Sequence, residues 1–239
     1  ALFTWYQYLN NQRVADNKSD FMKGAYLGPE FDNDTIEKFL KNKAYIYERL
    51  ADKVLPEKIA DLIEAENVIG WFQGRMEFGP RALGSRTIIG DARSPEMQKK
   101  MNMKIKYRES FRPFAPSIRA ENISEYFEID RESPYMLLVA NVQKSKQIEM
   151  SQEQKSYFGL EKLNVIRSDI PAITHVDYSA RIQSVNSKTN PRYHEMLSKL
   201  NSKYGSPIIV NTSFNVRGEP IVCTPQDAYL CFMRTEMDY

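Results

Sequence analysis

The 239-residue chain is 42% hydrophobic and 27% charged, a balance that excludes an intrinsically disordered polymer and predicts at least one substantial packed core. No apolar run approaches the roughly 18 residues of a membrane-spanning helix, and the start Ala1-Leu2-Phe3-Thr4-Trp5 lacks the charged and cleavage regions of a signal peptide, so a cytoplasmic location is expected. The net charge of +2 is unevenly spread: residues 75–119 hold eleven Lys or Arg against four Asp or Glu, a local +7 that leaves −5 elsewhere, so anionic ligands are expected near that segment.

In chain order, residues 1–10 read as an amphipathic helix and residues 11–32 as a polar connection with turn signals at Asp16-Asn17 and Gly28-Pro29. A short helix over 34–40, capped by Asp or Asn, closes this stretch. The expected boundary therefore separates 1–43, a helix and linker, from a domain over 44–239. Within that domain a helix is predicted over 56–66, followed by buried strands at 68–72, 135–142, 180–185 and 207–210. Ser94-Pro95, Asn190-Pro191 and Thr224-Pro225 each place a capping side chain before a proline that suits the first helical position. Met97, Met101 and Ile105 then recur at four-residue spacing, as do Tyr193 and Leu197, with Leu200 near the same face. Interleaved helices and strands predict an α/β or α+β fold, a sheet flanked by helices. Cys223 and Cys231 lack partners at metal-ligand spacing and are expected to be buried free thiols. No metal site is expected in this chain.

Three stretches carry chemistry. Gly74-Arg75-Met76-Glu77-Phe78-Gly79-Pro80-Arg81-Ala82-Leu83-Gly84 follows a predicted strand, and glycines admit a ligand to the backbone while arginine forks match phosphate oxygens. Its spacing is neither the dinucleotide fingerprint nor the P-loop. In the second stretch, Lys104 suits a helix C-terminus. Arg108 and Arg112, however, lie in the semi-rigid, apolar context of Phe111-Arg112-Pro113-Phe114-Ala115-Pro116, where burying arginine stems calls for an anion. In the third, an apolar strand runs into Asn211-Thr212-Ser213-Phe214-Asn215, small hydrogen-bonding side chains at a strand end, where α/β ligands gather. A simple Asx or Ser turn explains the last stretch equally well. His175 is a candidate general base or a structural histidine, and His194 lies on a helix face.

On these motifs, together with Arg217-Gly218-Glu219-Pro220, the chain resembles the C-terminal region of the NodU/CmcH carbamoyltransferases, which O-carbamoylate nodulation factors and antibiotics. The resemblance implies a YrdC-like twisted mixed sheet flanked by helices over 44–239, preceded by the helical remnant of an actin-like domain. It implies formation of carbamoyl adenylate from carbamoyl phosphate and ATP, with Mg as the accompanying cation. Transfer to a small-molecule acceptor hydroxyl would then need the N-terminal domain with its histidine-ligated metal. By motif, Lys106 and Arg112 are expected on phosphates and Arg81 at the carbamoyl phosphate end. Arg75, Arg108, Arg181, Asn211, Ser213 and Asn215 are expected to hold the nucleotide. Rival expectations are an RNA-binding module, since Tyr107, Phe111 and Phe114 lie among the cations, threonylcarbamoyl-adenylate synthesis, and a structural half inactive alone. Nucleic acid is the weaker expectation for a partner, and a homodimer stays open.

Overall fold

A computed structural model describes residues 1–14 and 20–239; the turn expected at Asp16-Asn17 lies outside them. The opening segment is helical over residues 2–8, widened to a π-helix at Thr4–Tyr8, so the expected helix forms in part, but none of its residues is buried. The first regular helix, α1 (Asn33–Asn42), is capped by the Asp32 carboxylate accepting from the Thr35 N–H, a cap worth about 1 kcal/mol. Then come α2 (Leu55–Glu64), β1 (Ile69–Phe72), β2 (Arg86–Asp91) and α3 (Met97–Lys104). The last of these begins later than predicted. Ser94 does not cap it: its buried carbonyl receives the Met97 N–H, and Pro95 stays in the preceding turn.

β3 (Ala115–Arg119), α4 (Ile123–Tyr126), β4 (Val139–Asn141), α5 (Gln152–Ser156) and α6 (Leu160–Leu163) make up the middle of the chain. The buried strand expected over 135–142 shrinks to β4, whose residues are largely exposed, because it pairs only in a two-stranded ribbon. Its partner is β5 (Ser179–Arg181), and one residue later β6 (Gln183–Val185) has entered the main sheet. The predicted strand over 180–185 is therefore two strands that change sheet at Ile182. α7 (Pro191–Tyr204), β7 (Ile208–Ser213) and α8 (Pro225–Met233) complete the fold. Both remaining proline-flanked caps form as read: Asn190 accepts from the Tyr193 N–H, and Thr224 exchanges bonds with Asp227 in a capping box.

Among the described residues the main sheet is mixed, in the order β1-β2-β7-β3-β6, with β3 and β6 parallel and the other pairs antiparallel. Alternation along β7 sends Ile209 to one face, where it meets Ile59, Ile63, Tyr193, Leu197 and Leu200 of α2 and α7. Ile208 and Val210 go to the other, against Met97, Met101 and Cys231. Both thiols are free, and Cys231 is buried. The fold is thus the expected mixed sheet flanked by helices. No helix among the described residues is long and apolar enough to cross a membrane.

The pairing fixes where the chemistry-bearing loops lie. Ser213 at the end of β7 sits opposite Thr87 at the start of β2, and Asn211 opposite Ala115 at the start of β3. Because β6 runs parallel to β3, Gln183 begins at the same end. The segments holding Arg81, Arg112 and Arg181 therefore enter the sheet where Ser213 and Asn215 leave it.

Candidate active site

Ile105 closes α3 in the core, and Lys106 follows with 4% exposure. Its ammonium donates to the Asn215 carbonyl at 2.8 Å, the Asn215 side-chain oxygen at 2.8 Å and the Ser213 carbonyl, with Ser213 Oγ at 3.4 Å. Ser213 Oγ itself donates to the same Asn215 oxygen at 2.7 Å. Burial, reinforced by nearby Arg108, pushes the Lys106 pKa down to about 7. Three expected residues from two distant stretches of sequence thus form one cluster. Its ammonium donors are already engaged by protein oxygens.

Arg108 lies over the Phe114 ring, 4.8 Å from its centroid, and donates to Asn102 Oδ1 at 2.6 Å. Burial first, and Arg112 second, lower its pKa. Arg112 is exposed beside it, loosely paired with Glu109 at 3.8 Å. The loop owes its shape to Asn102, which motif reading passed over. This fully buried amide donates to the Ser110 and Arg112 carbonyls at 3.0 and 2.8 Å while receiving Arg108. A polar residue on the buried face of a helix is the signal that marks it.

Arg81 is exposed at the tip of the glycine loop and lies close enough to Arg181 to lower that residue's pKa, after burial as the larger cause. Among the described residues Arg181 has a buried Nε without an acceptor, and its one side-chain contact in hydrogen-bond range is Met136 Sδ at 3.8 Å. His175 stands near Arg181; burial lowers its pKa and holds it neutral at pH 7.

The loop carrying Arg81 is pinned from beneath. Glu77, 4% exposed, accepts the N–H groups of Leu83 and Ser85 at 2.6 and 2.7 Å. Gln183 donates to the Leu83 carbonyl at 2.7 Å, and Asn211 to the Ala82 carbonyl at 3.0 Å. Gly84 has φ 105°, and a Cβ there would stand 2.6 Å from the Tyr193 ring, so glycine is required by backbone and space alike. Arg86, with no exposed surface, stacks 3.6 Å over the Phe72 ring and donates to the carbonyls of Gln73, Ser85 and Gly74.

Two expected ligands sit apart from the cluster. The Asn211 Nδ2 donates to Ala82, Ser117 and Gln183 beneath the loop, while its Oδ1 is buried without a partner among the described residues, and the residue's exposure is 1%. Arg75 pairs with Glu30 at 3.3 Å and donates to the Gly28 carbonyl, tying residues 28–30 to the glycine loop. His194 binds Glu121 at 3.0 Å. Among the described residues no group of three or more His, Cys, Asp or Glu is placed to hold a metal ion.

The chain matches the family model described as the carbamoyltransferase C-terminus over residues 60–239. It is 58% identical to an uncharacterized protein of Synechocystis, over all of this chain and 39% of that protein. It is 38% identical to the nodulation protein NolO of Bradyrhizobium diazoefficiens, over 90% of this chain and 36% of that protein. With the 3'-hydroxymethylcephem-O-carbamoyltransferase of Streptomyces clavuligerus it shares 34% identity over 69% of this chain and 27% of that enzyme. The chain therefore spans well under half the length of these relatives. The loops gathered at one end of the sheet fall inside the matched region, and the chain belongs to the carbamoyltransferase family.

Proposed function

We propose that this domain binds ATP and carbamoyl phosphate where Arg81, Lys106, Arg108, Arg112, Arg181, Ser213 and Asn215 approach one another, and forms carbamoyl adenylate there. One observation carries the reading. Three segments bring cations to the end of the sheet where β7 delivers Ser213 and Asn215, and the half-buried Arg181 has a buried Nε with no acceptor among the described residues. Burying such a charge is unfavourable until an anion arrives.

Water first releases phosphate from carbamoyl phosphate and leaves carbamate. A carbamate oxygen then attacks the α-phosphorus of ATP, the bond from that phosphorus to the bridging oxygen breaks, and pyrophosphate departs. The nucleophile is already anionic, so alignment and charge stabilisation dominate over acid–base catalysis. Arg81 and Arg181 receive the carbamoyl phosphate end, and Lys106, Arg108 and Arg112 the polyphosphate. Mg²⁺ accompanying the nucleotide would supply neutralising charge to the polyphosphate, and it would need few protein ligands because it retains water. Because Lys106 is engaged by Ser213 and Asn215, the nucleotide takes over part of that coordination, with the Ser213–Asn215 turn adjusting. Transfer to the hydroxyl of a small-molecule acceptor follows in the complete protein.

The test is ATP–pyrophosphate exchange. Exchange that depends on carbamoyl phosphate supports the proposal, whereas dependence on threonine and bicarbonate would replace it with threonylcarbamoyl-adenylate synthesis. Charge-assisted bonds contribute about 1.5 to 3 kcal/mol, so Lys106→Ala or Arg112→Ala should weaken ATP binding about tenfold or more by calorimetry. Unchanged affinity in both variants would defeat the assignment.

A further inference from the structure

Gln183, 2% exposed, is the first residue of β6 and lies opposite Ser117 of β3. Its Oε1 accepts from Ser117 Oγ at 2.5 Å and from Asn211 Nδ2 at 2.7 Å, and its Nε2 donates to the Leu83 carbonyl at 2.7 Å. Asn211 also reaches the neighbouring Ala82 carbonyl at 3.0 Å, and the Tyr26 hydroxyl shares the Leu83 carbonyl at 2.8 Å. The backbone just after Arg81 is therefore fixed by side chains, two of them rising from the sheet. Two residues before Gln183 stands Arg181, at the end of β5. Ile182 between them is fully buried, and its N–H bonds the Leu138 carbonyl at 3.0 Å, so the intervening backbone is held as well.

One amide thus joins the segments that carry two cations. Residues two apart in an extended chain project to the same side, and Gln183 meets Leu83 on the side where Arg181 comes within electrostatic reach of Arg81. Like charges repel, so only the backbone beneath these arginines can keep them together. Sheet stability alone does not call for a glutamine here. Apolar side chains of matching shape would replace the bonds among Gln183, Ser117 and Asn211 at little cost, and β-branched residues suit a buried strand better. They would not supply a donor to the Leu83 carbonyl.

We propose that Gln183 is a positioning residue: by tying β6 to the Leu83 carbonyl it sets the spacing of Arg81 and Arg181, and with it the affinity for the phosphate of carbamoyl phosphate. The assignment rests on the function proposed above, in which those arginines receive carbamoyl phosphate. It is tested by calorimetry on the full chain with carbamoyl phosphate and, separately, with ATP. Gln183→Leu should weaken carbamoyl phosphate about tenfold and leave ATP within a factor of about three of the wild type. Gln183→Glu keeps the shape of the side chain. Its neutral carboxyl donates to the Leu83 carbonyl as the amide does, whereas its carboxylate cannot. Relative to the wild type at the same pH, Gln183→Glu should therefore bind carbamoyl phosphate almost normally near pH 5.5 and about tenfold more weakly near pH 8.5. That comparison carries the test if Gln183→Leu folds poorly. A glutamine that served only the fold would lower the melting temperature and leave the ratio of the two affinities unchanged. The proposal is overturned if both variants bind carbamoyl phosphate as the wild type does, or if they lose carbamoyl phosphate and ATP in equal measure. Absence of carbamoyl phosphate binding in the wild type would instead remove the role given to Arg81 and Arg181, and this assignment with it.

Discussion

Lys106 shows how one buried cation couples proton to ligand. Its pKa is near 7 in the free protein, and a polyphosphate favours the ammonium, so the bound pKa is higher. Affinity for ATP is therefore greatest below pH 7 and falls as pH rises from 7 toward 9, by at most about tenfold per pH unit for one proton. Calorimetry at pH 8 in buffers of different ionisation enthalpy should count close to one proton taken up per ATP in the wild type and fewer in Lys106→Ala. The free protein responds in the opposite sense. Its folded state binds fewer protons than the unfolded chain between about 7 and 10.5, so this residue's contribution to stability grows as pH climbs through that window. Gly84 makes a second residue-scale prediction. Gly84→Ala meets the Tyr193 ring and should cost about 2 to 4 kcal/mol, measured by urea denaturation, with loss of the Arg81 loop geometry.

At the scale of elements, helices were more legible than strands. α7 and α8 declare themselves by a cap before a proline and by apolar spacing, and both begin where that chemistry requires. β2 was hidden because Arg86 and Asp91 interrupt its hydropathy although all six residues are buried; carbonyls and the Phe72 ring, invisible in a pattern, satisfy the arginine. β3 was hidden by Pro116, which argues against an interior strand yet faces Val210 in the middle of the sheet. The candidate site was legible where motifs carried it, as with Lys106, Ser213 and Asn215. It was not legible where a motif residue also packs into the scaffold: nothing in the letters Asn211 foretells that its amide donates to the Ala82 carbonyl beneath the loop. Glu77 belongs to the same scaffold. Glu77→Gln keeps the shape but weakens the acceptor for Leu83 and Ser85, so it should cost about 1 to 3 kcal/mol and reduce carbamoyl phosphate-dependent exchange more than ATP affinity.

Over the whole molecule, the first 43 residues are less separate than their composition suggests. Gly28 and Pro29 exchange backbone bonds with Met76, the Phe78 N–H reaches the Ala25 carbonyl, and the Tyr26 hydroxyl reaches the Leu83 carbonyl. On the far side, Tyr45 stacks on Tyr229 of α8 at 3.7 Å, with Phe39 of α1 edge-on. Deleting residues 1–47 should therefore lower the melting temperature by about 5 °C or more and loosen the loop that presents Arg81. Unchanged melting and unchanged exchange activity would show that the segment is merely attached.

The central strand of the sheet comes last in the sequence: β7 lies between β2 and β3, both made more than eighty residues earlier. During synthesis or refolding, its two neighbours have no hydrogen-bonded bridge until that strand arrives, and such distant pairings form slowly. Nucleotide affinity should accordingly emerge in a late kinetic phase, so ATP offered early in refolding rescues nothing that ATP offered late does not.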